Sequence, residues 1–235
     1  MAESNYEKTK RACAQAFCET DHSALIERFG LEQDADYLYV RFFEQSFRLS
    51  KRTGIIERRE ECEASGAATE TTWSEAQFNE AMTIYDLLGY AQPSCRASRT
   101  MINMKSLHTK IAATAPRPSS IYAAQEARLA AYEAQQSGIL VQAAQAIGGA
   151  ALNKADASAQ FTVINDLAMQ IQLWLPDEDF PASLQFFWDE NVLQYMHYET
   201  VWYANGFILE ELEAQCLKLL GAEGEILSQI LPAKR

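Results

Sequence analysis

The sequence contains no apolar run that approaches the ~20 consecutive residues needed to cross a bilayer as a helix. Its first residues, Met1–Lys8, also lack the apolar core of a secretory signal. Basic residues are scarce, since 20 lysines and arginines face 32 aspartates and glutamates, for a net charge of −12. Such a surface repels phosphate backbones and anionic lipids. We therefore expect a cytoplasmic protein whose partners include neither nucleic acid nor a membrane.

Cysteine and histidine are scarce as well, with five cysteines and three histidines in 235 residues. The odd cysteine count and the wide spacing argue against a disulfide framework and favour reduced thiols. Cys13 and Cys18 do not have the spacing of a zinc-binding, redox or cluster motif. The sequence therefore predicts no metal site, and it leaves any cofactor unknown.

The composition is that of a folded globular protein, with 48% hydrophobic and 22% charged residues. The apolar pattern predicts helices that are segregated from short antiparallel strands, which is typical of the α+β class. We therefore predict an α+β fold with two small antiparallel β meanders flanked by helices. The same order of helix, meander and helix in both halves raises the hypothesis of an internal duplication.

The chain reads as a single domain over residues 1–235, with one strong interruption. Pro116 and Pro118 follow a stretch of little periodicity, and prolines of this kind mark loops between elements. If the chain has subdomains, we expect them to span residues 1–115 and 119–235 and to join near this proline pair.

In the first half, apolar spacing predicts one or two helices between Tyr6 and Phe29. Alternation of apolar and polar residues from Tyr37 to Leu49 predicts a hairpin, and we place its two-residue turn at Glu44–Gln45. The polar stretch Glu60–Thr71 indicates a mobile loop, and Thr72–Glu75 fits the capping box that begins a helix.

The turn at Glu44–Gln45 makes Arg41 and Arg48 direct cross-strand neighbours on the polar face of the first hairpin. Two like charges in this position destabilise a sheet unless an acidic group lies between them. The two arginines are therefore a candidate site for an anion, and the alternative is that an internal carboxylate neutralises them.

A second hairpin is predicted in the last third, with strands joined by the segment Pro176–Pro181. Three apolar pairs agree on one register: Leu173 with Leu184, Ile171 with Phe186, and Met169 with Trp188. This agreement is strong evidence, because a slip of one residue would turn every side chain to the other face.

The predicted register places Trp174 opposite Ser183, on the face away from the apolar pairs. An indole ring beside a loop rich in carboxylates is a plausible platform for a cationic or planar ligand. The candidate binding surface comprises Trp174, Asp177, Glu178, Asp179, Asp189 and His197. The alternative is structural: the loop carboxylates accept hydrogen bonds from nearby amides, and the histidine is a half-buried, hydrogen-bonded structural residue.

Several segments resemble the C-terminal signature of the domain-of-unknown-function family 3786: Asp156–Ser158, Ile171–Trp174, Asp177–Ala182, Trp188–Glu190 and Tyr195–Glu199. The first hairpin and Met82–Leu88 are similar to the first half of that family, so the resemblance covers nearly the whole chain. Members occur chiefly in anaerobic bacteria and archaea, and some resemble fusions to cysteine-rich iron–sulfur segments. The resemblance implies a common fold and no particular reaction.

These observations favour a protein that binds a small molecule or a protein partner without catalysis. One alternative is an enzyme that uses carboxylates of the 177–190 region for acid–base chemistry, assisted by His197. A second alternative is an accessory subunit of an anaerobic cofactor-dependent system.

Overall fold

The computed structural model of the chain describes residues 4–62, 70–108 and 122–221. The described part forms seven α-helices and two antiparallel five-stranded sheets, which confirms the predicted α+β class. The helices are α1 (Asn5–Cys18), α2 (His22–Phe29), α3 (Phe78–Tyr90), α4 (Met104–His108), α5 (Ala123–Gln135), α6 (Ile139–Ala146) and α7 (Tyr198–Leu220). The strands are β1 (Glu32–Gln33), β2 (Tyr37–Phe42), β3 (Gln45–Ser50), β4 (Ile56–Cys62), β5 (Glu70–Glu75), β6 (Met101–Asn103), β7 (Ala150–Ala151), β8 (Ala157–Ile164), β9 (Leu167–Trp174) and β10 (Ser183–Asp189).

The described residues divide into two compact units. Unit 1 contains those up to Cys95 together with Leu193–Ala204, and unit 2 contains Arg96–Val192 and those from Asn205 onward. The first turns of helix α7 therefore belong to unit 1, and the remainder of the helix belongs to unit 2. The predicted boundary at Pro116 and Pro118 lies outside the described residues.

Unit 1 begins with two helices, as the apolar spacing predicts. Asp21 caps α2 by accepting a hydrogen bond from the Ser23 amide at 2.9 Å. Gly30 ends the same helix with φ of 63°, a left-handed conformation that favours glycine. Helix α1 packs against α3 in this unit.

The first sheet is a sequential meander in the order β1 to β5. Period-two alternation buries one face of its central hairpin completely, including Leu38, Phe47 and Leu49, each at 0% exposure. The first hairpin is therefore confirmed. The core of unit 1 lies on this face, and the opposite face carries the polar side chains.

The predicted turn of this hairpin is wrong by one residue. Phe43 and Glu44 form the turn, with φ of 48° and 59°, so that Arg41 pairs with Ser46 and Arg48 pairs with Tyr39. Two central residues with positive φ match the twist of the flanking strands. The sequence has no Asn-Gly signal here, and Phe43 is itself buried at 1% exposure, which the alternation did not predict.

Two further expectations for unit 1 are corrected by β4 and β5. The predicted loop Glu60–Thr71 is wrong at both ends, because β4 runs to Cys62 and β5 begins at Glu70; residues 63–69 lie outside the described part. The predicted capping box at Thr72–Glu75 lies in β5, where threonine and tryptophan suit a strand. The capping contact is made by Glu80, whose Oε1 accepts from the Gln77 amide at 2.6 Å.

The second sheet has the order β6-β10-β9-β8-β7, so that β7 to β10 form a meander and β6 pairs with the free side of β10. All three predicted apolar pairs of β9 and β10 are confirmed. The side chains of Met169, Ile171 and Leu173 are fully buried in the core of unit 2. The early strand β6 has no counterpart in the first sheet, and the internal duplication stays a prediction.

Candidate functional site

None of the helices described is long and apolar enough to cross a bilayer. Within residues 4–62, 70–108 and 122–221, no group of three or more histidine, cysteine, aspartate or glutamate side chains could hold a metal ion. Cys216 is a buried free thiol, and burial together with Glu133 and Glu213 raises its pKa to about 12.

Trp174 occupies the predicted position at the end of β9. It pairs with Ser183 in the predicted register and is half-buried. The loop that follows is closed by Asp177, whose Oδ1 accepts from the amides of Asp179 at 2.9 Å and Phe180 at 2.7 Å. Asp177 therefore holds the local turn, while the side chains of Glu178 and Asp179 are exposed.

The Asp189 side chain is buried at 1% exposure, and its carboxylate accepts hydrogen bonds from backbone amides. Its Oδ1 accepts from the amides of Ser98 at 3.0 Å and Asn191 at 2.9 Å, and its Oδ2 accepts from that of Arg99 at 2.7 Å. The carboxylate therefore ties the chain before β6 to the end of β10. Ser98 and Arg99, which lie about 90 residues away in sequence, could not be predicted as partners from local spacing.

His197 belongs to unit 1, whereas the other five members of the predicted surface belong to unit 2. Its Nδ1 lies 2.7 Å from Asp86 Oδ1, and its amide donates to Asp86 Oδ2 at 2.8 Å. The Tyr90 ring lies against the imidazole, with centroids 3.7 Å apart. Asp86 therefore holds His197, the residue that precedes α7, in position.

Arg41 and Arg48 each have a carboxylate of their own. Arg41 lies 2.7 Å from Glu44, and the Nε of Arg48 lies 2.7 Å from Glu57. The Arg48 guanidinium also lies over the rings of Tyr37 at 4.3 Å and Trp73 at 4.4 Å. The sequence suggested an internal carboxylate as the alternative partner, but it did not indicate the two aromatic rings.

A small cleft in unit 2 lies beside the start of β10. It has a volume of about 80 Å³ and is lined in part by Ser183, Gln185, Lys105 and Glu126. Glu126 is half-buried, and its Oε1 accepts from the Leu184 amide at 2.9 Å. Burial raises the pKa of the Glu126 carboxyl, and the Leu184 hydrogen bond and Lys105 oppose that shift.

This raised pKa predicts a pH-dependent effect of Glu126→Gln. The folded state binds more protons than the unfolded state between the two pKa values of Glu126, so the charged carboxylate costs stability as the pH rises through this window. The glutamine keeps an oxygen for the Leu184 amide and has no charge. We expect the variant to gain stability relative to the wild type as the pH is raised from the ordinary pKa of a glutamate, about 4.3, towards neutrality in urea titrations.

The control for this experiment is Glu178→Gln, which removes an exposed carboxylate from the β9–β10 loop. We expect the increase in relative stability with pH to be larger for Glu126→Gln than for this control, because the Glu126 side chain is half-buried and that of Glu178 is exposed. A difference for Glu126→Gln that does not grow with pH would contradict the predicted burial of the Glu126 charge.

A larger cavity, of about 520 Å³, lies in unit 1, and we call it the basic cavity. One stripe of α1 lines it at helical spacing, and the turn between β3 and β4 faces that stripe. Its lining residues are Glu7, Lys10, Arg11, Ala14, Gln15, Cys18, Arg52, Thr53, Ile55, Glu75 and Tyr85. Three of them are cations, although acidic residues outnumber basic ones in the chain as a whole.

The wall of the basic cavity is held by Lys10 and Glu75. Lys10 Nζ lies 2.6 Å from Glu75 Oε1 and donates to the Ala76 carbonyl at 2.8 Å. The lysine side chain is only 12% exposed, so the pair is a fixed part of the wall. Its neighbour Arg52 is exposed on the turn, and no described residue pairs with it.

The floor of the basic cavity is formed by Tyr85 and the β3–β4 turn. The Tyr85 hydroxyl donates to the Gly54 carbonyl at 2.8 Å, and burial raises its pKa, so the phenol keeps the proton that it donates. The sequence predicted a helix in this region, but it did not single out the α1 stripe as part of a site. The approach of Arg52 could not be predicted either, because it depends on how the first sheet packs against α1.

Comparison with protein-family models matches residues 21–211 to the family described as Domain of unknown function (DUF3786). This match spans both units and agrees with the resemblance seen in the sequence. No curated protein matches the chain, and no solved structure does.

Proposed function

Since the chain belongs to the DUF3786 family, whose description names a domain and no reaction, we propose a function from geometry: the protein binds a small molecule in the basic cavity. The observation that carries this proposal is the cavity itself. Its volume of about 520 Å³ lies within the range of roughly 300–1,000 Å³ that is typical of ligand sites.

The walls of the cavity support binding because they are pre-formed. Lys10 is anchored by Glu75 and the Ala76 carbonyl, and Tyr85 is anchored to the Gly54 carbonyl. A ligand would therefore order few side chains on entry, which lowers the entropic cost of binding. Polar and apolar side chains both line the space, as they do in sites that orient a small organic molecule.

The alternative of acid–base catalysis by the 177–190 carboxylates has weaker support. Asp177 accepts two local amide hydrogen bonds, and Asp189 is buried with amide partners on both oxygens. Neither carboxylate lines the cleft beside the start of β10, where a partner acid for general acid–base chemistry would be needed. A binding function at the basic cavity therefore remains the proposal.

Native mass spectrometry of protein purified from its own host tests this proposal. Gln15 is exposed on α1 and lines the cavity, so Gln15→Trp should fill the space without disturbing the core. The matched control is Ala12→Trp, an exposed position of the same helix that does not line it. We expect a small-molecule adduct in the wild type and the control that is lost in Gln15→Trp.

Two results would contradict the proposal. One is an adduct that Gln15→Trp retains at the wild-type level, since the ligand would then lie elsewhere. The other is that each of the three proteins shows only the mass of its own polypeptide, with circular dichroism showing that all three are folded.

A further inference from the structure

The charges that line the basic cavity are more specific than its volume. Three cations, Lys10, Arg11 and Arg52, face two carboxylates, Glu7 and Glu75, which leaves an excess of one positive charge. The chain as a whole has a net charge of −12, so this local excess runs against the overall composition. A cavity lined in this way attracts anions from solution.

The Lys10–Glu75 pair accounts for two of these five charges. With their ammonium and carboxylate groups 2.6 Å apart, each neutralises the other, and the pair adds no net field to the cavity. The balance of charge then depends on the two arginines and on Glu7. Arg52 is exposed and has no ion-pair or hydrogen-bond partner among the described residues, so its guanidinium is available to a ligand.

The apolar part of the lining is equally distinctive. Ile55 is 40% exposed, and few other large apolar side chains among the described residues are exposed. It lies in the cavity wall near Ala14 and Tyr85. An exposed isoleucine in a concave wall is stabilised when apolar atoms cover it and remove it from water.

We propose that the basic cavity binds an amphiphilic organic anion, with its acidic group at Arg52 and its apolar part against Ile55 and Tyr85. The guanidinium fork suits a carboxylate, sulfonate or phosphate group, each of which can accept two parallel hydrogen bonds. This inference rests on the proposed function, because it names the ligand class of the same cavity.

Two fluorescent probes separate the charge from the apolar contribution. 8-Anilinonaphthalene-1-sulfonate and N-phenyl-1-naphthylamine share the same rings and differ by one sulfonate group. We expect the sulfonate to bind the wild type at least about tenfold more tightly, as one charge-assisted contact would provide. This preference should shrink as salt is added, because the arginines lie at the surface.

The affinities of variants for the two probes then show which residues form the binding site. Arg52→Gln should weaken binding of the sulfonate about tenfold and leave the neutral probe unchanged. Arg59→Gln is the matched control, since Arg59 is an exposed arginine of the same unit that does not line the cavity. Gln15→Trp should weaken both probes, and Ala12→Trp should weaken neither.

The outcomes distinguish the two proposals. Equal affinity for both probes, abolished by Gln15→Trp and insensitive to Arg52→Gln, overturns the anionic ligand class and leaves the binding function standing. Binding that Gln15→Trp does not weaken, or no binding of either probe to folded protein, overturns both.

Discussion

Gly54→Ala should destabilise the protein by about 2–5 kcal/mol, the largest effect of any single methyl group that we expect in unit 1. Gly54 has φ of 72°, which costs an L-residue with a side chain about 1–2 kcal/mol. A Cβ at this position would also lie 2.0 Å from the Ala14 carbonyl oxygen. Because backbone atoms form this contact, the turn or α1 must move, at a further cost of about 1–3 kcal/mol.

Gly30→Ala is the control for this measurement. Gly30 has φ of 63°, almost the same backbone conformation, yet a Cβ there would meet no atom within 4 Å. Only the conformational cost applies, so the loss should be about 1–2 kcal/mol in urea titrations followed by circular dichroism. Equal losses of stability for the two variants would contradict the close approach of α1 to the β3–β4 turn.

The same substitution has a consequence for the proposed ligand site. Ala14 lines the basic cavity, and the Gly54 carbonyl accepts the hydrogen bond from Tyr85 that forms its floor. A turn displaced by the new methyl group would separate these walls. The stability loss therefore reports on the geometry that makes the cavity pre-formed.

Arg128→Met should have a comparable effect in unit 2, with a loss of about 3–5 kcal/mol. Arg128 on α5 and Glu213 on α7 form a bidentate ion pair whose side chains are only 4% and 7% exposed. Removal of the arginine leaves the Glu213 carboxylate buried without its counter-charge. The loss is dominated by that uncompensated charge and not by the attraction between the partners.

The double variant Arg128→Met/Glu213→Leu separates these two contributions. With both charges removed, apolar side chains of similar size fill the space, and most of the loss should be recovered. The exposed pair Arg41–Glu44 provides a matched control, in which Arg41→Met should cost less than about 0.5 kcal/mol. A double variant less stable than Arg128→Met alone would contradict the argument from desolvation.

The second hairpin shows when local sequence suffices. Its register was predictable because three apolar pairs agreed and because each faces a fully buried side of β9. The first hairpin shows the limit: Phe43 lies in a turn and is buried all the same, so polarity alone misplaced the turn by one residue. The extension of β4 to Cys62 and the strand β5 were not predicted, because their polar side chains hide the period of two.

The candidate site was less predictable than the fold. Trp174 was placed correctly, but Asp177 and Asp189 engage backbone amides, and His197 engages Asp86, at separations from 2 to 111 residues. The aromatic rings over Arg48 belong to β2 and β5, which the hairpin pattern does not bring together. Contacts of this kind carry no signal in local spacing.

The sequence by itself determined the α+β class, the family, the two helices between Tyr6 and Phe29 and the pairing of β9 with β10, because these depend on periodicity and on interactions between chain neighbours. Only the tertiary structure decided which charges are neutralised and where a cavity forms. Lys10 and Glu75 are 65 residues apart in sequence and share one wall, and Arg52 approaches the α1 stripe across the close contact at Gly54. Side chains with ordinary local patterns acquire binding chemistry only when packing brings them to a common space.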